Sequence, residues 1–149
     1  WTIAGLLLSM VASFWLMGRK EAVAGTMAAD SFAYYFQLIG EMVMVLVTLA
    51  LIDYLPGRTH QQGEFYALLL FVTLAIMVAV SATDLIMVYL GMEFLSITSY
   101  ILVGFLRKDK RANEAAIKYF LYGAVASAVM LYGMSLLYGL TGTTDLATI

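Results

Sequence analysis

The chain contains no cysteine, one proline, one histidine and few charged residues. Without cysteine it forms no disulfide and offers no thiolate to an iron–sulfur cluster or a zinc site. We therefore expect no metal or cofactor in this chain and any redox centre in another polypeptide. The net charge of −2 is too small to indicate a nucleic-acid partner.

Apolar residues are abundant instead: they make up 63% of the chain, against 12% charged residues, and the mean hydropathy is +0.92. Soluble domains are about half apolar and a quarter charged, so this composition is typical of a membrane protein. A helix needs roughly 20 apolar residues to cross a hydrocarbon layer about 30 Å thick. Such runs lie near residues 1–17, 31–52, 65–81, 85–106 and 114–138.

These runs lack the alternation of barrel strands, so they predict an all-α, polytopic transmembrane helix bundle with five spans. We expect a single transmembrane domain over residues 1–149. The chain begins at Trp1 inside an apolar run, without an initiating methionine or a signal-peptide pattern. We expect it to be a partial domain from a larger protein.

Basic residues cluster in the fourth connection, at residues 107–113, namely Arg107, Lys108, Lys110 and Arg111. Cytoplasmic loops carry an excess of lysine and arginine, so we place this connection and the one containing Arg58 in the cytoplasm. The alternation of the helices then places Arg19 and Lys20 outside.

Glu93 lies within the fourth apolar run, about nine residues or roughly 13 Å from its outer end. An ionised carboxylate at that depth is costly unless it is paired or hydrated, so the group is suited to exchanging protons. Three polar side chains share its helix face, namely Tyr89, Ser96 and Tyr100. The stripe indicates either a hydrated relay or polar contacts between helices.

Lys118 lies in the fifth run, four residues after Glu114, with Tyr122 one turn further on. This order favours an intrahelical ion pair, and both a proton-transfer role and a lysine reaching the cytoplasmic interface stay open. Counted from the cytoplasmic loop, Lys118 is roughly 8 Å deep and Glu93 roughly 21 Å, which favours a water-mediated relay over a direct salt bridge.

Glu41 lies in the second run, at nearly the depth of Glu93. We identify no polar stripe beside it. Two roles stay open: a second proton site with a possible relay function, or a structural contact with a neighbouring chain.

Two segments together indicate a family: GEFYALLLFVTLAIMVAVSATDLIMVYLGMEFLSITSYILVG at residues 63–104, and RKDKRANEAAIKYFLYGAVASAVMLYGMSLLYGLTG at residues 107–142. They resemble the antiporter-like membrane subunits of respiratory complex I, the proton-translocating NADH:quinone oxidoreductase. Within that family they are most similar to the N-type subunit, also called subunit 2. The combination of LGMEFLSITSY with EAAIKYF carries the resemblance.

The resemblance implies proton translocation through Glu93 and Lys118, which fall on the family's glutamate of helix 5 and lysine of helix 6. Family members have roughly fourteen helices with inverted repeats, so this chain would supply helices 2 to 6. NADH, FMN, iron–sulfur clusters and quinone would bind to partner subunits. The implied partners are lipid and the other membrane-arm subunits of a respiratory-chain complex in the bacterial cytoplasmic (inner) membrane.

Two other functions stay open. The first is a subunit of a related cation/proton antiporter or of a membrane-bound hydrogenase. The second is a non-pumping assembly scaffold whose buried charges only fix the register of the helices.

Overall fold

Helices make up most of the computed structural model, which describes residues 1–17, 21–23 and 25–149. Five occur in these ranges: α1 (Thr2–Leu16), α2 (Ser31–Tyr54), α3 (Gln62–Ser81), α4 (Leu85–Val103) and α5 (Lys110–Thr141). Helices α2 to α5 are long and apolar enough to cross a membrane, whereas α1 has 15 residues. The prediction of an all-α transmembrane bundle is confirmed.

Aspartate side chains begin three of the helices by accepting hydrogen bonds from backbone N–H groups. Asp30 accepts from Ala33 at 2.9 Å, and Asp84 accepts from Ile86 at 2.8 Å. Asp109 starts α5 earlier than the sequence predicted, and Gly142, with φ of 70°, ends it later. Helix α5 is therefore longer at both ends than the expected run of residues 114–138.

The helices pack in sequence order, each against the next, as short connections between antiparallel neighbours dictate. Leu6, Met44 and Leu69 form a small apolar core where α1, α2 and α3 meet. Helices α3 and α4 approach closely at Gly91, where a Cβ would lie 2.8 Å from the Cα of Ala79. Helix α5 packs against α4, and none of its residues is fully buried.

A short antiparallel hairpin precedes α2, formed by β1 (Glu21–Val23) and β2 (Met27–Ala29). This hairpin was not predicted, because strands of three residues are too short to show an alternating pattern. Gly25 in the turn has φ of 72°, a conformation that favours glycine. The hairpin reaches the α3–α4 connection, where the Thr83 N–H donates to the Thr26 carbonyl at 2.9 Å.

The C-terminal segment, residues 143–149, lies against the same connection from another side. The Leu85 N–H donates to the Thr144 carbonyl at 2.8 Å, and the Leu146 N–H donates to the Thr83 carbonyl at 3.0 Å. We call this the hairpin end of the bundle, and the opposite end, at connections 55–61 and 104–109, the loop end. The predicted location of Arg19 and Lys20 lies outside the described residues.

Candidate functional site

Glu93 faces α5, where its carboxylate accepts a hydrogen bond from the Ser127 hydroxyl. The glutamate is half-buried and lies roughly 12 Å along α4 from its first residue, at about 1.5 Å per residue. The sequence predicted the depth of Glu93, but Ser127 was not among the predicted site residues. Its hydroxyl is thus a partner that the sequence reading missed.

Tyr100 lies on the loop-end side of Glu93 and packs into α5. Its ring meets Tyr119 edge-on with centroids 4.7 Å apart, and Phe120 with centroids 5.8 Å apart. Gly123 makes room for this ring, because a Cβ there would lie 2.5 Å from Cζ of Tyr100. The face of α4 that carries Glu93 and Tyr100 is therefore the face that contacts α5.

A cleft of about 420 Å³ separates α4 and α5 on the hairpin-end side of Glu93. Tyr89 lines it, and this residue is one helical turn from Glu93. The lining is mostly apolar, and its other residues are Leu85, Ile86, Leu131, Met134, Ser135, Tyr138 and Thr144. Ser96, one turn from Glu93 in the other direction, is half-buried.

Lys118 does not approach Glu93. Its ammonium group lies 2.5 Å from the Glu114 carboxylate, and both side chains are 65% exposed. The intrahelical ion pair that the spacing predicted is therefore present. Ala116 contacts Gly104 and so marks the side of α5 that faces α4. At about 100° per residue, Lys118 lies roughly 200° around the helix from Ala116, on the opposite side.

Tyr122 shares the face of Lys118 and is 79% exposed. Helix α5 thus directs Ser127 and Gly123 toward α4, and Lys118 and Tyr122 away from it. Among the described residues, the expected relay from Glu93 to Lys118 is not assembled along the α4–α5 contact.

Glu41 is completely buried, with 0% of its surface exposed. Oε1 accepts a hydrogen bond from the Ser9 hydroxyl of α1 and a longer one, at 3.5 Å, from Ser13 of α1. Oε2 is also buried and has no hydrogen-bond partner among the described residues. Both hydrogen-bond partners belong to α1 of the same chain, so of the roles left open for Glu41 the structure gives no support to a contact with a neighbouring chain.

The buried face of α2 carries other polar side chains as well as Glu41. Gln37, one turn away, donates from Nε2 to the Ser81 hydroxyl of α3 at 2.9 Å. Thr48 is buried on the same face and donates to the Met44 carbonyl at 2.7 Å. This corrects the sequence reading, which identified no polar stripe beside Glu41. Spacings of four and seven residues were the available signal.

The two carboxyl groups occupy separate interfaces, because α3 lies between α2 and α4 in the packing order. Each is held by serine hydroxyls within mainly apolar helices, an arrangement suited to taking up and releasing a proton. The part of the chain that the structure describes contains no group of three or more histidine, aspartate or glutamate side chains placed to hold a metal ion.

Comparison with known proteins shows that residues 82–149 match the family described as "NADH:quinone oxidoreductase/Mrp antiporter, TM". NADH-quinone oxidoreductase subunit N 2 of Rhizobium meliloti (strain 1021) is 42% identical over 146 residues, covering 97% of this chain and 30% of that protein. Subunit N 1 of Koribacter versatilis (strain Ellin345) is 44% identical over 131 residues, covering 88% of this chain and 26% of that protein. The chain thus spans about 30% of the length of such relatives.

A chain of respiratory complex I from Thermus thermophilus, solved with bound aureothin, matches with a TM-score of 0.83 and 32% identity. The match covers 97% of this chain and 32% of that one. A chain of the archaeal membrane-bound sulfane sulfur reductase matches with a TM-score of 0.80 and 24% identity, covering 97% of this chain and 32% of that one, and shows the fold alone. These findings confirm the resemblance to antiporter-like membrane subunits of complex I, most closely the N-type subunit.

Proposed function

We propose that this chain, which resembles a segment of the antiporter-like subunit N, is part of a proton-translocating membrane subunit of NADH:quinone oxidoreductase. The observation that carries the proposal is the position of Glu93. This carboxyl group lies near the middle of a membrane-length helix, half-buried, against a hydroxyl donor on the next helix. Intramembrane carboxyl groups in such positions are typical of proton relays.

Ser127 supports both protonation states of Glu93. When the carboxylate is ionised, the serine hydroxyl donates to it across the contact between Ser127 and Glu93. When the carboxyl is protonated, the hydroxyl oxygen accepts, because a serine offers one donor and two lone pairs and its hydrogen rotates freely. The contact therefore survives a cycle of proton uptake and release without a rearrangement of α4 and α5.

Redox chemistry in partner subunits would drive this cycle. In low-dielectric surroundings, a charge that appears or moves nearby changes the balance between the neutral and ionised forms of a carboxyl group. We place NADH, FMN, iron–sulfur clusters and quinone in those partners, and no redox centre in this chain. The other membrane-arm subunits and lipid are its proposed contacts, in a bacterial cytoplasmic membrane with residues 107–113 on the cytoplasmic side.

The cleft between α4 and α5 supports a proton path that reaches Glu93 from the hairpin end of the bundle. Tyr89 and Ser135 offer hydroxyl groups along this cleft, and Tyr89 is one turn from the carboxyl group. Water that enters the cleft would reach Glu93 through a short polar step. On the other side, the packed ring of Tyr100 separates Glu93 from the loop end.

Lys118 and Tyr122 belong to a different stage of the proposed route. Both lie on the face of α5 that is turned away from α4, and Lys118 is paired with Glu114. We assign them to the passage of protons along that outer face, toward the parts of the subunit that this chain does not contain. Lys118 is an ammonium in this pair, so it would release its proton as the contact with Glu114 loosens, and an exposed pair of this kind is weak.

The test is Glu93→Gln in the complete complex, reconstituted in vesicles. Glutamine keeps the size and polarity of the side chain but does not exchange protons. We expect normal assembly and a fall in NADH-driven proton pumping per complex of roughly a hundredfold or more, the size of effect typical for loss of one proton-transfer group. Glu64→Gln is the matched control, because this glutamate is exposed near the start of α3 and takes no part in the proposed route, and the variant is expected to assemble and pump normally.

The outcomes separate this function from a scaffold. Unchanged pumping per assembled Glu93→Gln complex contradicts the proposal. A lower yield of complex with unchanged pumping per complex indicates a structural role for Glu93. The identity of the proteins that copurify with the chain in mild detergent distinguishes complex I from a related antiporter or hydrogenase.

A further inference from the structure

The α1–α2 interface encloses a carboxyl group that the α4–α5 route does not use. Glu41 has no exposed surface, so residues of this chain surround it on every side. A further helix or subunit packed on the outside of the bundle therefore cannot supply it with a partner. The charge state of Glu41 has to be accounted for by the groups inside the interface.

Those groups include no cation in the elements packed against α2. Helix α1 and strand β2 contain no ionisable side chain. In α3 the ionisable residues are Glu64 and Tyr66, both near its start, with Glu64 roughly 17 Å along the axis from Glu41. In α2 itself they are acids and tyrosines, namely Tyr34, Tyr35, Asp53 and Tyr54. The single described ion pair, between Lys118 and Glu114, lies on α5.

The hydrogen bonds fit a neutral carboxylic acid. The carbonyl oxygen of an acid has two lone pairs, and Oε1 receives two hydroxyl donors, from Ser9 and Ser13. Oε2 receives no donor among the described residues, as expected of the oxygen that carries the proton. An ionised group would leave a full charge on a buried oxygen without compensation, which is far more costly than burying a neutral hydroxyl.

We propose that Glu41, Ser9 and Ser13 form a second proton-binding site, in which Oε2 of Glu41 holds the proton and the two serines of α1 hold Oε1. The site stays occupied by a proton at neutral pH, where a solvated glutamate is ionised. It is separate from the Glu93 route, because α3 intervenes. Failure of either proposal therefore leaves the other standing.

Infrared spectroscopy tests this directly, because the C=O stretch of a neutral carboxyl group and the stretches of a carboxylate lie in different regions. The sample is the purified complete complex with ¹³C at the glutamate side-chain carboxyl, and the measurement is the difference between wild type and Glu41→Gln at neutral pH. We expect the difference to contain a neutral carboxyl band that is missing from the variant. A carboxylate band in its place overturns the proposal.

Sodium provides the second arm, because a carboxylate with two hydroxyls is also a set of oxygen ligands for a small cation. We expect the neutral band to be unchanged by added NaCl. Its conversion to a carboxylate band by Na⁺, and not by K⁺, assigns the site to sodium and overturns the proton assignment.

Two further variants keep the test decisive if Glu41→Gln assembles poorly. Ser9→Ala with Ser13→Ala removes both donors to the carbonyl oxygen, so the neutral band should move to higher wavenumber while remaining present. Ser99→Ala is the matched control, since that hydroxyl donates to the Leu95 carbonyl of its own helix, α4. A double variant with an unchanged band position contradicts the assignment of Oε1.

Discussion

The Ser127 hydroxyl of α5 donates to the Glu93 carboxylate of α4, across 34 residues of sequence. This contact has an aromatic seal on one side, formed by Tyr100 against Gly123, and an apolar cleft on the other. A single hydroxyl of α5 thus holds the carboxyl group of α4 near the middle of the contact between these two antiparallel helices.

Ser127→Ala is expected to slow proton pumping while preserving assembly. A hydrogen bond to a charged group contributes about 1.5–3 kcal/mol. Without it the Glu93 carboxyl group is no longer held against α5, so we expect a fall in pumping per complex. Pumping per complex is measured in vesicles with a pH-sensitive dye. Ser127→Thr should retain most of the activity, and equal rates for the alanine and threonine variants would show that the hydroxyl is not needed.

Gly123→Ala is expected to disturb the α4–α5 contact, because the added Cβ overlaps the ring of Tyr100. Overpacking of this kind costs about 1–3 kcal/mol. Tyr100→Leu should relieve it, so the double variant should lose less thermal stability in detergent than the sum of the two single variants. Strict additivity would mean that the ring does not occupy the space beside Gly123.

Gly91→Leu is expected to separate α3 from α4, since even a Cβ at this position would lie 2.8 Å from the backbone of Ala79. We expect a lower yield of complex and a lower melting temperature, by the same cost of about 1–3 kcal/mol or more for overpacking. Gly133→Ala is the control, because nothing lies within 4 Å of its added Cβ and alanine favours the helix. Equal melting temperatures for the two variants would contradict this packing.

The docking of residues 143–149 is expected to depend on pH through Asp84. The Thr144 hydroxyl, with smaller help from backbone N–H groups, holds the pKa of the Asp84 carboxyl below its ordinary value of 3.8. A lowered pKa in the docked state means that the stabilisation is complete above 3.8 and is lost as the pH falls through the lowered value.

Hydrogen exchange at the Leu146 amide, corrected for the intrinsic rate, measures this docking. Protection should fall several-fold in acid, and Thr144→Val should remove most of the pH dependence. Thr148→Val is the matched control, because that hydroxyl bonds to Asp145 within the segment and not to Asp84. Acid-independent protection in the unmodified protein would contradict the role of Asp84.

The helices and the depth of Glu93 were predictable, because hydropathy and a period of 3.6 residues act locally along the chain. The cap that Asp84 provides for α4 is likewise a local feature, since a cap needs only its own first turn. The partners of the buried acids were not predictable. They depend on the rotation of each helix about its axis, which decides which side chains face the neighbouring helix. Because α1 and α5 are apolar around most of their circumference, hydropathy does not indicate which face that is.

Weak signals for the missed partners were nevertheless present. Ser9 and Ser13 are four residues apart on an otherwise apolar helix, which is the spacing that faces one neighbour. In a membrane helix such hydroxyls tend to lie at helix contacts. For Lys118, the resemblance to the family predicted a proton-transfer role. It did not predict that the side chain points away from Glu93.

The α3–α4 connection is joined on both flanks, to Thr26 and to Leu146, through the backbone of Thr83. The chain itself joins α4 to α5 at the loop end, through residues 104–109. The two helices are therefore held together at both ends, and the contact between Glu93 and Ser127 lies between these two connections.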